Sequence, residues 1–178
     1  MRKTSLLTAV ILAAAISGAP QLAAAMGSSN PAPPSDTSKP SGKSQTKKNK
    51  KDKSSSAKEF LDRYQAAYAL IYDKEDYQGG ITALRAIGYD DNADVATLLG
   101  YASRKLGRYD DSKLWYEKAL AANPNHTLTW SYYGMWHAEQ GNLIKAREHL
   151  TKIASICGNT ACREYVMLKE VIDGNGVY

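Results

Sequence analysis

Four glycines recur at a fixed interval, and this regularity constrains the fold more than any other feature of the chain. The step along the sequence from Gly100 to Gly134 equals the step from Gly107 to Gly141. A shared interval of this length indicates that one structural unit occurs twice in tandem. A chain of 178 residues has room for only a few such units, so the sequence predicts a short repeat array.

The residues around these glycines follow the periodicity of α-helices. Leu61, Tyr64, Tyr68 and Ile71, for example, recur at spacings of three and four and place one apolar stripe on a helix. Short turns separate the helical segments, so neighbouring helices are expected to lie antiparallel. We find no alternation typical of strands, and the sequence predicts seven helices at about residues 58–71, 77–87, 94–106, 109–122, 127–140, 143–156 and 160–172.

Two units, which begin at Ala93 and Thr127, resemble the tetratricopeptide repeat, a helical hairpin of about 34 residues. The likeness rests on Leu99, Gly100, Gly107, Tyr109, Tyr116, Ala119 and Pro124 in the first unit, and on Trp130, Gly134, Gly141 and Ala146 in the second. The units depart from the family pattern at Ala96, Ser103 and Ser112, and at Tyr133, His137, Leu150 and Gly158. Two adjacent units in the same phase make the resemblance specific.

The resemblance implies a domain that covers residues 58–178. Residues 58–91 resemble a degenerate first unit, with Tyr77, Gly80, Leu84 and Ile87 at the matching positions. The units are then 58–91, 93–126 and 127–160, followed by a cap at 160–172. The implied fold is all-α, with antiparallel helical hairpins stacked as a short right-handed superhelix and closed by a C-terminal capping helix.

Residues 1–25 have the composition of a secretory signal peptide. Arg2 and Lys3 precede an apolar run at residues 6–16, and residues 23–25 are three alanines that offer an Ala-x-Ala cleavage site. The run is shorter than the roughly 20 residues that a membrane span needs. We therefore expect a periplasmic or otherwise secreted protein that is not transmembrane after cleavage. An uncleaved membrane anchor is the alternative.

Residues 26–57 are rich in serine, proline and lysine and contain no aromatic residue and no valine, leucine or isoleucine. Such a composition cannot bury apolar surface, so we predict a disordered linker. The chain has a formal net charge of +5; residues 1–25 contribute two positive charges and the linker seven lysines against two aspartates, which leaves −2 for residues 58–178. The basic character belongs to the linker, and we expect no nucleic-acid partner.

The lysines of residues 39–53 have two interpretations. They could bind an anionic envelope surface, with an attraction that salt would screen. They could equally belong to a soluble spacer.

Cys157 and Cys162 are predicted to form a disulfide, because a pair of cysteines in an exported chain is usually oxidised. A redox-active pair or half of a metal site is a weaker alternative, since no Cys-x-x-Cys motif is present. The three histidines, at positions 126, 137 and 149, lack the spacing of metal ligands on one helix face. No phosphate-binding loop or nucleophile motif occurs, so we predict no catalytic residue, no metal and no cofactor.

Four aromatic residues lie close together in the fifth predicted helix. Helical spacing assigns Trp130 and Tyr133 to the core and leaves the roles of Tyr132 and Trp136 open.

The resemblance also implies a binding surface. In the tetratricopeptide-repeat family, the first helices of the hairpins line a concave groove that holds a peptide or a helix of another protein. Carried over by position, the groove residues are Asp94, Thr97, Tyr101, Arg104 and Lys105 in one unit, and Leu128, Ser131 and Met135 in the next. Their mixture of polar and apolar types fits a protein ligand.

The predicted function is accordingly that of an exported protein–protein interaction module: an adaptor, scaffold or assembly factor, and not an enzyme. Two alternatives stay open. One is an envelope-associated structural protein that acts through its basic linker, and the other is an accessory subunit of an enzyme.

Overall fold

Seven α-helices form the part of the chain that the computed structural model describes, residues 49–176, with side chains described for residues 56–176. The helices are α1 (Asn49–Tyr72), α2 (Tyr77–Ile87), α3 (Ala93–Lys105), α4 (Tyr109–Ala122), α5 (Thr127–Glu139), α6 (Leu143–Cys157) and α7 (Arg163–Ile172). The predicted signal peptide and residues 26–48 of the predicted linker lie outside the described residues. Within residues 49–176 the chain is all-α, as the sequence predicts.

The glycines and asparagines of the turns explain where the middle helices end and begin. Gly107 and Gly141 follow α3 and α5 with φ of 72° and 76°, a left-handed conformation that glycine adopts without steric cost. Asn92 and Asn142 precede α3 and α6. The side-chain oxygen of Asn92 accepts two hydrogen bonds from backbone N–H groups of the first turn of α3, and that of Asn142 accepts one from the first turn of α6. Gly107 and Gly141 thus end the first helix of two successive hairpins with the same type of turn.

The hairpins α1–α2, α3–α4 and α5–α6 stack in sequence, and α7 packs against α5 and α6. The second pair of recurring glycines makes this packing possible. A Cβ atom at Gly100 would lie 2.6 Å from the ring of Tyr116 in α4, and one at Gly134 would lie 2.5 Å from Leu168 in α7. Gly100 therefore closes its own hairpin, whereas Gly134 holds the capping helix against the stack.

Two helix starts differ from the sequence-based prediction. Helix α1 begins at Asn49, so residues 49–57 of the predicted disordered linker are helical. This stretch contains no glycine or proline, and it continues the helix whose later turns pack in the core. Helix α7 begins at Arg163 rather than at residue 160, because Cys162 has an extended conformation and stands as its N-cap residue.

The apolar core has two clusters that meet at Tyr101. One cluster is centred on α1, α2 and α3 and includes Leu84 and Leu99; the other includes Tyr116 and Leu168. Tyr101 packs against both clusters. The core therefore continues from the first hairpin to the capping helix.

A disulfide joins Cys157 to Cys162, whose Cα atoms are 6.4 Å apart. The bond spans the turn between α6 and α7 and ties the cap to the last hairpin. The predicted pairing is confirmed. In the described residues 49–176, no helix combines the length and apolar character needed to cross a bilayer.

Candidate functional site

The structure separates the eight predicted groove residues by accessibility. Thr97, Arg104, Ser131 and Met135 are buried; Asp94, Tyr101 and Leu128 are half-buried, and Lys105 is exposed. All eight were predicted to line the surface of the groove. The buried four instead lie inside the helical stack, because neighbouring first helices pack closely. The part of the predicted groove that a partner could reach is formed by the other four.

A polar network fixes the start of α5 against α3. The hydroxyl oxygens of Thr97 and Thr129 are 2.6 Å apart, and Nδ1 of His126 lies 2.6 Å from the Thr129 hydroxyl. Nε2 of His126 lies 3.1 Å from the Asp94 carboxylate. A carboxylate only accepts, so Nε2 must carry the proton of that bond. The hydrogen bond from His126 engages one carboxylate oxygen of Asp94 and thereby orients this side chain at the rim of the groove.

A buried charge lies below this rim. Only 3% of the surface of Arg104 is exposed, and its Nη1 donates a hydrogen bond of 3.2 Å to the carbonyl of Tyr132. Its Nε lies 3.7 Å from a carboxylate oxygen of Glu139. Burial raises the pKa of Glu139, and the positive charges of Arg104 and Lys105 offset part of that rise. The pair links the ends of α3 and α5 electrostatically.

Four tyrosines from the three first helices form a row, here named the tyrosine ladder: Tyr68, Tyr72, Tyr101 and Tyr132. Successive ring centroids are 4.4, 5.0 and 5.0 Å apart. The hydroxyls of Tyr72 and Tyr132 are also 2.8 Å apart and form a hydrogen bond. Tyr132 is buried, whereas the other three rings are half-buried. The ladder thus runs from the interior of the stack to a surface that a partner could touch.

The phenols of the ladder are uncharged at neutral pH, because the ordinary pKa of tyrosine is about 10. Burial raises the pKa of Tyr101 to about 12, and Arg104 offsets part of that rise. Burial also raises the pKa of Tyr68, against the opposing charge of Arg163 at the start of α7. Burial thus moves these pKa values further above neutrality, and the phenols act as hydrogen-bonding groups and not as anions. At one edge, the Lys105 ammonium lies 5.9 Å from the ring centroid of Tyr77, a cation–π contact.

Sequence reasoning identified Tyr101 but missed the ladder as a unit. Tyr68 and Tyr72 were available as a pair four residues apart on the first helix, which places them on one face. Tyr132 was left open because helical spacing alone does not say which neighbouring hairpin covers a side chain. The signal for the ladder was the recurrence of tyrosine on all three first helices.

A second concavity of about 560 Å³ lies between α4, α5 and α6. His137 and His149 line it, with ring centroids 5.0 Å apart. Nδ1 of His149 lies 3.2 Å from the carbonyl of Trp130, and burial lowers the pKa of His149 to about 4. Burial likewise lowers the pKa of His137. The two imidazoles are neutral at pH 7 and pack as aromatic rings.

Among residues 49–176, no group of three or more histidine, cysteine, aspartate or glutamate side chains is placed to hold a metal ion.

The matched family agrees with this geometry. Residues 93–126 match the family model of the tetratricopeptide repeat. By this match, the α3–α4 hairpin is similar to a tetratricopeptide repeat. The matched residues comprise the α3–α4 hairpin and the turn that follows it, with the bounds that the sequence analysis gave to its first well-formed unit. The matched range thus contains Asp94, Tyr101 and Lys105, three of the four accessible groove residues.

One relative extends the comparison. A protein of Guillardia theta, designated uncharacterized protein ycf37, is 32% identical over 69 residues, which is 37% of this chain and 39% of the relative. The similarity therefore covers well under half of either protein.

Proposed function

We propose that this protein is an exported, non-catalytic interaction module that holds a peptide or helix of a partner protein against the first helices of its hairpins. A tetratricopeptide repeat is in general a protein–protein interaction module. The observation that carries the proposal is the half-buried side of the tyrosine ladder. With Asp94, Lys105 and Leu128 it offers apolar rings, a carboxylate and an ammonium group on the face of the first helices.

The chemistry of this surface supports binding rather than turnover. Its phenols are neutral at pH 7, and burial raises the pKa of Tyr68 and Tyr101 further. The buried charge of Arg104 is directed at Glu139 and a backbone carbonyl. Groups of this kind hold a ligand through hydrogen bonds and apolar contact. General acid–base catalysis would instead need a group whose pKa lies near the working pH.

Two features support export. Residues 1–25 have the charged, apolar and small-residue zones of a signal peptide. The disulfide between Cys157 and Cys162 is a bond that persists in oxidising compartments and is rare in the cytosol. We therefore assign the protein to the periplasm or to another compartment outside the cytoplasm.

The test is capture of partners from an envelope extract by protein purified after expression of the full-length chain. The groove variant carries Tyr68→Ala, Lys105→Ala and Leu128→Ser. The matched control carries Leu114→Ala and Ile144→Ala, which remove two side chains that are 63% and 73% exposed on α4 and α6. All three proteins should have helical circular dichroism spectra of equal intensity.

We expect wild type and control to retain the same partner and the groove variant to retain at least tenfold less. Equal retention by all three proteins would refute the groove as the binding surface. If the retained partner is an enzyme whose activity changes on binding, the protein is an accessory subunit.

A second candidate function is attachment to an anionic surface, and it rests on the charge distribution. Residues 26–57 carry +5 while residues 58–178 carry −2. Sedimentation with phosphatidylglycerol vesicles should then fall when the lysines of residues 47–53 are replaced by glutamine. Sedimentation should also weaken at about 0.5 M salt. Equal sedimentation with neutral phosphatidylcholine vesicles would count against this function.

A further inference from the structure

The accessible part of the tyrosine ladder has the chemistry that recognises proline. The rings of Tyr68, Tyr72 and Tyr101 are half-buried and adjoin one another, so they present a continuous apolar strip. Aromatic grooves bind polyproline II segments because such segments are already extended and lose little entropy on docking. Their backbone carbonyls are not used internally and can accept hydrogen bonds from phenol hydroxyls.

The chain itself contains a segment of this kind. Residues 30–40 read NPAPPSDTSKP, with three of four prolines in the run Pro31-Ala32-Pro33-Pro34. Proline fixes φ at about −65° and disfavours helical geometry in the residue before it, so this run favours polyproline II. That helix has three residues per turn and rises about 3.1 Å per residue, so in this conformation Pro31 and Pro34 would share one side, about 9 Å apart. The two ladder steps from Tyr68 to Tyr101 are 4.4 and 5.0 Å, a path of similar length.

The connection between segment and ladder is long enough for docking within one molecule. Helix α1 begins at Asn49, and Tyr68 is about 28 Å further along it at about 1.5 Å per residue. The residues between Pro34 and Asn49 can span roughly 45 Å or more when extended, at about 3.3 Å per residue. The segment can therefore turn back along α1 and reach the ladder without strain.

We propose that residues 30–40 dock on the tyrosine ladder of the same molecule in polyproline II conformation, and that a partner must displace them to bind. The inference rests on the proposed function, because it names the resident occupant of the same groove. Occupation would weaken the apparent affinity for a partner by the fraction of molecules in which the groove is free.

The experiment follows the tyrosine ring signals by nuclear magnetic resonance in protein purified after expression of the full-length chain. The test variant carries Pro31→Ala, Pro33→Ala and Pro34→Ala. The matched control carries Ser28→Ala, Ser29→Ala and Ser35→Ala, which change the same region and keep the prolines. The spectra are recorded at two protein concentrations tenfold apart.

We expect the proline variant, and not the serine control, to shift the ring signals of Tyr68, Tyr72 and Tyr101 equally at both concentrations. A synthetic peptide with the sequence of residues 30–40 should move these signals back toward their wild-type positions. Unchanged ladder signals in the proline variant overturn the proposal. Shifts that grow with protein concentration also overturn it, since they would mean that a second copy supplies the segment.

Partner capture separates this inference from the proposed function. If the segment occupies the groove, the proline variant should retain several-fold more partner than wild type. If it retains the same amount and its ladder signals are unchanged, the groove binds a partner and only the docking of residues 30–40 fails. If the ladder signals shift but no protein captures a partner, the docking stands and the proposed function fails.

Discussion

At the residue scale, the packing of the helices depends on glycine positions at which any side chain would collide with a neighbouring helix. Gly100 allows the ring of Tyr116, which is fully buried, to lie across the backbone of α3. The recurrence of glycine at this position is visible in the sequence, but the orientation of the ring that covers it is not, because that depends on the rotamer of a residue in the next helix. The same limit explains why Thr97 and Ser131 were expected at the groove surface and are buried.

Replacing Gly100 with alanine should destabilise the protein. The new Cβ would lie 2.6 Å from the Tyr116 ring, and overpacking of this kind costs about 1–3 kcal/mol. Urea unfolding of the purified protein measures the change. In a Tyr116→Leu background the same alanine should cost at least about 0.5 kcal/mol less. An equal cost in both backgrounds would show that the ring is not the obstacle.

His149 should make stability depend on pH. Burial lowers its pKa in the folded protein to about 4, below the unfolded value of about 6.5. The unfolded chain therefore binds the proton first, and stability falls as the pH drops from about 6.5 to 4, by up to about 3 kcal/mol. The difference in unfolding free energy between wild type and His149→Gln, measured from pH 7 to pH 4, should narrow by a similar amount. A constant difference would contradict the prediction.

At the element scale, helical periodicity and turn residues predicted the number and order of the described helices. The two starts that differ, at Asn49 and Arg163, lie where neither signal is decisive. A polar stretch without glycine or proline does not reveal whether a helix continues through it. A turn closed by a disulfide holds residues in extended conformation regardless of their helical propensity. The stacking of tyrosines from α1, α3 and α5 depends on packing between segments that are distant in the sequence. No local sequence pattern predicts it.

The disulfide should stabilise α7 more than any other helix. Its short loop restricts the unfolded chain modestly, and loop entropy gives about 2 kcal/mol for a bond of this span. The variant Cys157→Ser, Cys162→Ser should lose about that much in urea unfolding. Relative to wild type, its amide hydrogens should exchange faster in α7 but not in α3, which the disulfide does not contact. Uniformly faster exchange across all helices would show that the cap has no separate stability.

At the scale of the whole molecule, stacked hairpins are expected to interact with their nearest neighbours only. The bond between the hydroxyls of Tyr72 in α1 and Tyr132 in α5 departs from that scheme. It joins the first hairpin to the third past the ring of Tyr101, which stacks on both. The three hairpins should therefore unfold as one unit.

A double-mutant cycle at this bond tests the long-range coupling. Tyr72→Phe leaves the buried Tyr132 hydroxyl without its partner and should cost about 1–2 kcal/mol. Once Tyr132→Phe is present, Tyr72→Phe should cost at least about 0.5 kcal/mol less, because no hydroxyl is then left unpaired. Urea unfolding, followed by both circular dichroism and tryptophan fluorescence, gives the energies and shows whether the transitions coincide. Strict additivity would mean that the two end hairpins are energetically independent.

The bond between Tyr72 and Tyr132 also depends on the number of hairpins that lie between its two residues. Repeat proteins commonly change length by gaining or losing internal copies, since each new copy meets the same neighbours. Here a duplicated middle hairpin would move α1 and α5 one unit further apart, and a deleted one would remove Tyr101 from between them. The two hydroxyls meet only when a single hairpin separates them. A change in the number of hairpins would therefore break this bond.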